Sequence, residues 1–91
     1  MNRLAGPPRR YLIETEIGEN ISLYDPRTER VMVLNTTASD IWRLLDGDLT
    51  VEEVIRLLAR AYQVDPTSIR DDVVAIVDRL VFEGLLEGGE R

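Results

Sequence analysis

The stretch RVMVLNTTASDIW, residues 30–42, constrains the fold more than any other part of the chain. Val31, Met32, Val33 and Leu34 carry an apolar strand pattern, and helix-period residues begin at Ala38, so the periodicity changes within four residues. A strand that enters a capped helix almost without a loop fixes a strand edge beside a helix bundle. The remaining segments arrange around that junction.

Upstream, residues 11–17 alternate Tyr11, Ile13, Thr15 and Ile17 against Leu12, Glu14 and Glu16, which predicts a half-buried strand with one solvent face. Residues 20–24 repeat the alternation with Ile21 and Leu23 on one side. Asp25-Pro26-Arg27-Thr28 then supplies turn chemistry, proline presetting φ at the second turn position, so the strand over residues 30–34 runs antiparallel to its predecessor. That strand is apolar on both faces, Met32 and Leu34 on one, Val31 and Val33 on the other. One face must pack on helices and the other calls for an occupant.

Three helices follow. The first takes Thr37 as N-cap with Asp40 three residues on, carries the stripe Ala38, Ile41, Trp42, Leu44 and Leu45, and ends at Asp46-Gly47-Asp48. Thr50 and Glu53 form a capping box for the second, whose stripe is Val51, Val54, Ile55, Leu57, Leu58, Ala61 and Tyr62. Asp65-Pro66 opens the third, which runs to Glu83 before Gly84. At about 100° per residue, Ile69, Val73, Ile76, Val77 and Leu80 share one sector, with Arg70, Val74, Asp78 and Val81 in the next. The apolar arc is wider than one core contact requires. Leu85 and Leu86 fold back as a hydrophobic stop.

The expected fold is α+β and winged helix-turn-helix-like: a three-stranded antiparallel sheet at the N-terminal end followed by three helices. Residues 1–10, with Gly6, Pro7, Pro8 and three arginines, form a flexible N-terminal arm; residues 11–87 form the domain; residues 88–91 are a frayed tail.

Composition removes most enzymatic readings. Ninety-one residues make one small domain that buries roughly 60 to 65 % of its extended-chain surface, with little room for a deep cavity. Cysteine and histidine are both absent, so thiol nucleophiles, disulfides, thiolate or imidazole metal sites and imidazole acid-base chemistry are excluded. Neighbouring carboxylates such as Glu52-Glu53 and Asp71-Asp72 diverge around their helices and form solvated faces, and no calcium-loop pattern occurs. No cofactor or metal is implied. No apolar run reaches the roughly 18 residues of a membrane span and no secretory signal opens the chain, so the expectation is a cytoplasmic protein without a membrane partner.

Eleven basic residues, all arginine, oppose 17 acidic ones for a net charge of −6, which repels polyanions. A tri-helical domain invites a DNA-binding reading, yet the third helix begins Arg70-Asp71-Asp72 and carries Asp78, so no nucleic-acid partner is expected; a small winged-helix transcription regulator stands as the rival class. Ser39 and Ser68 lie near helix starts but lack the Asp-Ser-Leu setting of a carrier-protein attachment site, and Trp42 belongs to a core stripe. The unabsorbed feature is the edge at residues 31–34 beside a helix with surplus apolar surface. A groove of that kind suits an extended peptide added as a strand, with Val74, Val77 and Val81 as its wall and Arg70 and Asp78 at its rim; it equally suits closure of a dimer.

Leu34-Asn35-Thr36-Thr37-Ala38, Ile41-Trp42, Leu45-Asp46-Gly47 and Thr50-Val51-Glu52-Glu53, with Asp72-Val73-Val74 through Leu80 and Glu83-Gly84-Leu85-Leu86, resemble the PqqD-like proteins over residues 24–86. The resemblance implies a recognition element for ribosomally made, modified peptides, in which a precursor's leader lies as an added antiparallel strand against the third strand and third helix. Carried onto this chain, the peptide-binding set is Val31, Met32, Val33, Leu34, Arg70, Val74, Val77, Asp78 and Val81, with both faces of the strand included because register is open. The size of the chain and its strand pair most resemble the stand-alone leader-binding proteins of lasso-peptide biosynthesis. The implied partners are a leader with a tyrosine and a proline a few residues apart, the cysteine protease that removes it, and the cyclase. Pyrroloquinoline-quinone-type peptide chaperones share the fold and remain an alternative.

Overall fold

Ile21 and Leu23 are each 1 % exposed and anchor the sheet on the helices. The computed structural model that places them describes Leu4 and residues 6–87. Three strands, β1 (Ile13–Ile17), β2 (Asn20–Asp25) and β3 (Arg30–Leu34), form an antiparallel sheet in the order β1-β2-β3. Helices α1 (Thr36–Leu44), α2 (Val51–Tyr62) and α3 (Pro66–Phe82) follow, so the α+β architecture is the one the sequence predicts. The tail at residues 88–91 and positions 1–3 and 5 of the arm lie outside the described residues.

Register decides which side chains meet. Glu14, Leu23 and Met32 form one row and Glu16, Ile21 and Leu34 the next, both on the helix side; Ile13, Tyr24 and Val31 share the opposite face with Thr15, Ser22 and Val33. The expected half-burial of the first strand is therefore corrected. β1 spans only residues 13–17 and all five are exposed, because its helix-side residues are two glutamates beyond the helices and its isoleucines point outward. Tyr11 and Leu12 precede the strand; Leu12 packs against the core and the Arg27 guanidinium lies 4.6 Å from the Tyr11 ring centroid.

The cap of α1 is also corrected. Asn35, not Thr37, is the N-cap, its Oδ1 accepting the Ala38 N–H at 2.8 Å, which suits a residue that caps better than threonine. Ser39 one turn in is fully buried: its Oγ accepts the Ile21 N–H at 2.9 Å and donates to the Leu34 carbonyl at 3.2 Å. One hydroxyl thus ties β2 to the end of β3. Trp42 is core, 3 % exposed, its indole N–H buried without a partner among the described residues.

The Thr50–Glu53 capping box is formed in both directions, at 3.1 and 2.8 Å. The buried side of α2 is Val51, Val54, Ile55, Leu58 and Ala59. Leu57, Ala61 and Tyr62, expected in that stripe, are exposed: Leu57 and Ala61 lie a sector away from its centre, and Tyr62, on the stripe, is the last residue of the helix and donates its hydroxyl to Asp40. Partial burial of its ring, and then that bond to a carboxylate, raise the Tyr62 phenol above its ordinary pKa.

Asp65 caps α3 through the Thr67 N–H at 2.9 Å, with Pro66 in the first turn, and this bond holds its carboxyl below the usual range. At the other end Gly84 takes φ +77°, its N–H reaching Val81 O at 3.0 Å while Leu85 N reaches Leu80 O at 3.0 Å. These two bonds are a Schellman ending, and they turn Leu85 and Leu86 back into the core.

The N-terminal segment corrects the expectation of a loose arm wherever it is described. Arg9 N donates to Leu85 O at 3.0 Å, Glu87 N donates to Pro7 O at 2.8 Å, and Pro8 and Leu86 form an antiparallel bridge. Leu4 bridges Thr50. Main-chain groups across the whole length of the sequence hold this strap in place.

Candidate functional site

β3 pairs with β2 on one side only, so among the described residues its other edge carries unpaired main-chain groups. Val31 and Val33 are 61 and 63 % exposed, whereas Met32 is half-buried and Leu34 buried. The alternation gives the edge one side chain row toward water and one toward the helices.

Two clefts flank Met32, which lines both. The first is floored by Leu23, Val31, Met32 and Leu85 and rimmed by Asp25, Thr28, Arg30 and Glu83. The second lies between Met32, Val33, Leu34, Asn35 and Ala38 on the strand-to-helix junction and Ile76, Arg79 and Leu80 on α3. The α3 wall is thus Ile76, Arg79, Leu80 and Glu83, a run at the i, i+3, i+4 and i+7 spacing of one helix face. Glu83 closes the gap between the elements: its carboxylate lies 3.6 Å from Arg30 on β3 and 4.0 Å from Arg79 on its own helix. Both arginines are largely exposed, so these pairs contribute little to stability and leave the groove rim open to exchange partners.

Of the residues expected from the sequence, Val31, Met32, Val33 and Leu34 stand at the edge. The expected α3 set does not line either cleft. Arg70 is turned to α2, where its two guanidinium nitrogens grip Glu52, Nη2 to Oε2 at 2.7 Å. Those hydrogen bonds depress the Glu52 carboxyl below its usual range. Val77 is buried at 1 %, Val74 and Val81 pack half-buried against the core, and Asp78 is exposed. Arg70 shares a sector of the helix with Val74, Val77 and Val81, and its side chain reaches α2. Ile76 and Leu80 had the periodicity of core residues; the sign that they also border a groove is the Arg79–Glu83 pair one turn apart, opposite Arg30.

The arrangement offers hydrogen-bonding main chain, apolar floors and a mixed-charge rim. Among the described residues no group of three or more Asp or Glu could hold a metal ion, and no helix is long and apolar enough to cross a membrane.

The family model for coenzyme PQQ synthesis protein D (PqqD) matches residues 21–86. Among solved structures, that of TbiB1 in complex with the TbiA(beta) leader peptide is 25 % identical, with a TM-score of 0.78, over 89 % of this chain and 94 % of that one. A lasso peptide synthetase B1 complexed with the leader peptide has the same fold at 24 % identity and TM-score 0.77, over 90 % of this chain and 96 % of that one. No curated protein sequence matches the chain.

Proposed function

Because this chain belongs to the PqqD family, we propose that it captures the leader segment of a ribosomally synthesised precursor peptide as a fourth, antiparallel strand on the free edge of β3. What carries this reading is that edge, bordered by the Ile76–Glu83 face of α3 and by two clefts that share Met32. Added-strand hydrogen bonds supply affinity with little dependence on sequence, and alternate side chains entering the clefts supply selectivity. The likeness to two B1 proteins held in complex with leader peptides supports a leader as the occupant.

The same reading makes the chain a cytoplasmic, non-catalytic presenter. A sequence without cysteine or histidine suits a division of labour in which a leader-removing cysteine protease and a ring-closing cyclase do the bond chemistry. The PqqD match itself favours a second reading, a peptide chaperone of pyrroloquinoline-quinone synthesis, which uses the same groove for a different precursor.

The test is fluorescence anisotropy with a labelled lasso-type leader peptide, a variant lacking its tyrosine, and a copy whose main chain is N-methylated at alternate residues. Saturable binding that both changes weaken supports strand addition. No binding at tens of micromolar overturns lasso-leader capture. The same assay with a labelled DNA duplex tests the rival: binding of the duplex that falls steeply with added salt would instead favour a nucleic-acid regulator.

A further inference from the structure

We propose that the N-terminal strap, through Arg9, is a positioning element for the first cleft of the groove; this rests on the peptide-capture reading above. Arg9 Nε donates to Gly84 O at 3.0 Å and Arg9 N donates to Leu85 O at 3.0 Å. Those acceptors immediately follow Glu83, and Leu85 and Glu83 are the two residues through which the end of α3 lines that cleft. The second cleft takes its α3 wall from Ile76, Arg79 and Leu80, one to two turns earlier, where among the described residues the strap makes no hydrogen bond.

The strap's other contacts anchor it at a distance. Pro7 accepts from Glu87 N at 2.8 Å and packs at Gly47, where a Cβ would lie 3.0 Å from the proline ring; a Cβ on Gly6 would come within 2.5 Å of Leu45 O. The α1–α2 loop therefore holds one end of the strap while Arg9 holds the α3 ending. A guanidinium at a helix C-terminus also meets the partial negative charge of the last carbonyls. Loss of the Arg9 side chain removes the tie to Gly84 O and leaves the main-chain tie to Leu85 O, so the Glu83 side of the turn can shift, which changes the first cleft and leaves the second as it is.

A leader added antiparallel to β3 lays its N-terminal half along Leu34 and its C-terminal half along Arg30. The two clefts can thus be addressed separately by truncating the peptide. Arg9→Ala is expected to weaken capture of the full leader about tenfold and to leave unchanged the weaker binding of a leader cut back from its C-terminal side. Arg9→Lys, which keeps a cation and a donor, is expected to recover most of the affinity. Equal weakening for both peptides would mean a general stability effect and would overturn the positioning role, as would full-length affinity unchanged by Arg9→Ala. Those outcomes presuppose that the wild-type chain binds the leader; its failure to bind would remove the capture reading, and the strap's role with it.

Discussion

Arg70 and Glu52 form a two-pronged ion pair that couples α3 to α2. The Glu52 carboxyl is held below its ordinary value chiefly by those hydrogen bonds. A carboxylate with a depressed folded-state pKa stabilises the fold above its unfolded-state pKa and loses that contribution as pH falls through the folded value. Glu52→Gln should therefore melt below the wild type at neutral pH, by a small margin, and the two melting curves should converge in acid. Circular dichroism melts across the pH range check this; a gap that stays constant with pH would show that the pair does not carry the difference.

The rotation of α3 makes opposite predictions for two positions half a helical turn apart. Ile76→Glu puts a charge into the second cleft and should weaken leader capture by about tenfold or more, as for an apolar anchor at an interface centre. Val74→Glu puts the same charge into the α2–α3 side of the core; it should lower the melting temperature while leaving the leader Kd within about threefold. Melting and anisotropy on both variants separate the two faces. If the groove uses the Arg70–Val74–Val81 sector instead, the two results exchange.

Removing the Ser39 hydroxyl strands the buried Ile21 N–H and one bond to the Leu34 carbonyl. Ser39→Ala should cost about 1 to 3 kcal/mol in urea unfolding. Because Leu34 ends β3, the same variant should speed amide exchange along that strand.

Thr50→Ala removes the side-chain arm of the α2 capping box, the Oγ1 that accepts the Glu53 N–H, while the main-chain N–H of residue 50 can still donate to the Glu53 carboxylate. The expected loss is about 1 kcal/mol. Glu53→Ala keeps the threonine acceptor and should cost less. The order of the two midpoints in denaturant is the check.

What the sequence made legible was local. Asp65-Pro66, the Thr50–Glu53 box and the Gly84 ending are encoded within a few residues, and each forms as read. The rotation of α3 is not local: its apolar arc is wide enough to face α2, the sheet or the groove, and Glu52 on another helix helps select among them. Likewise the alternation of β1 is real, but how far the helices extend under the sheet decides whether either side is buried. Asn35 outcompetes Thr37 as cap because of where the chain leaves β3. The strap was opaque for the simplest reason, that Arg9 and Gly84 lie 75 positions apart and meet through a carbonyl that any residue would carry.

Met32 is the common wall of both clefts. A thioether side chain with three rotatable bonds is a partition that slides rather than a fixed post. Space given up by one cleft is gained by its neighbour, so a leader bound as proposed would be gauged by the combined bulk of two anchors more strictly than by the size of either. Leaders that trade a larger anchor at one position for a smaller one at the other should share this site, and a branched residue at position 32 would turn a tolerant gauge into a selective one.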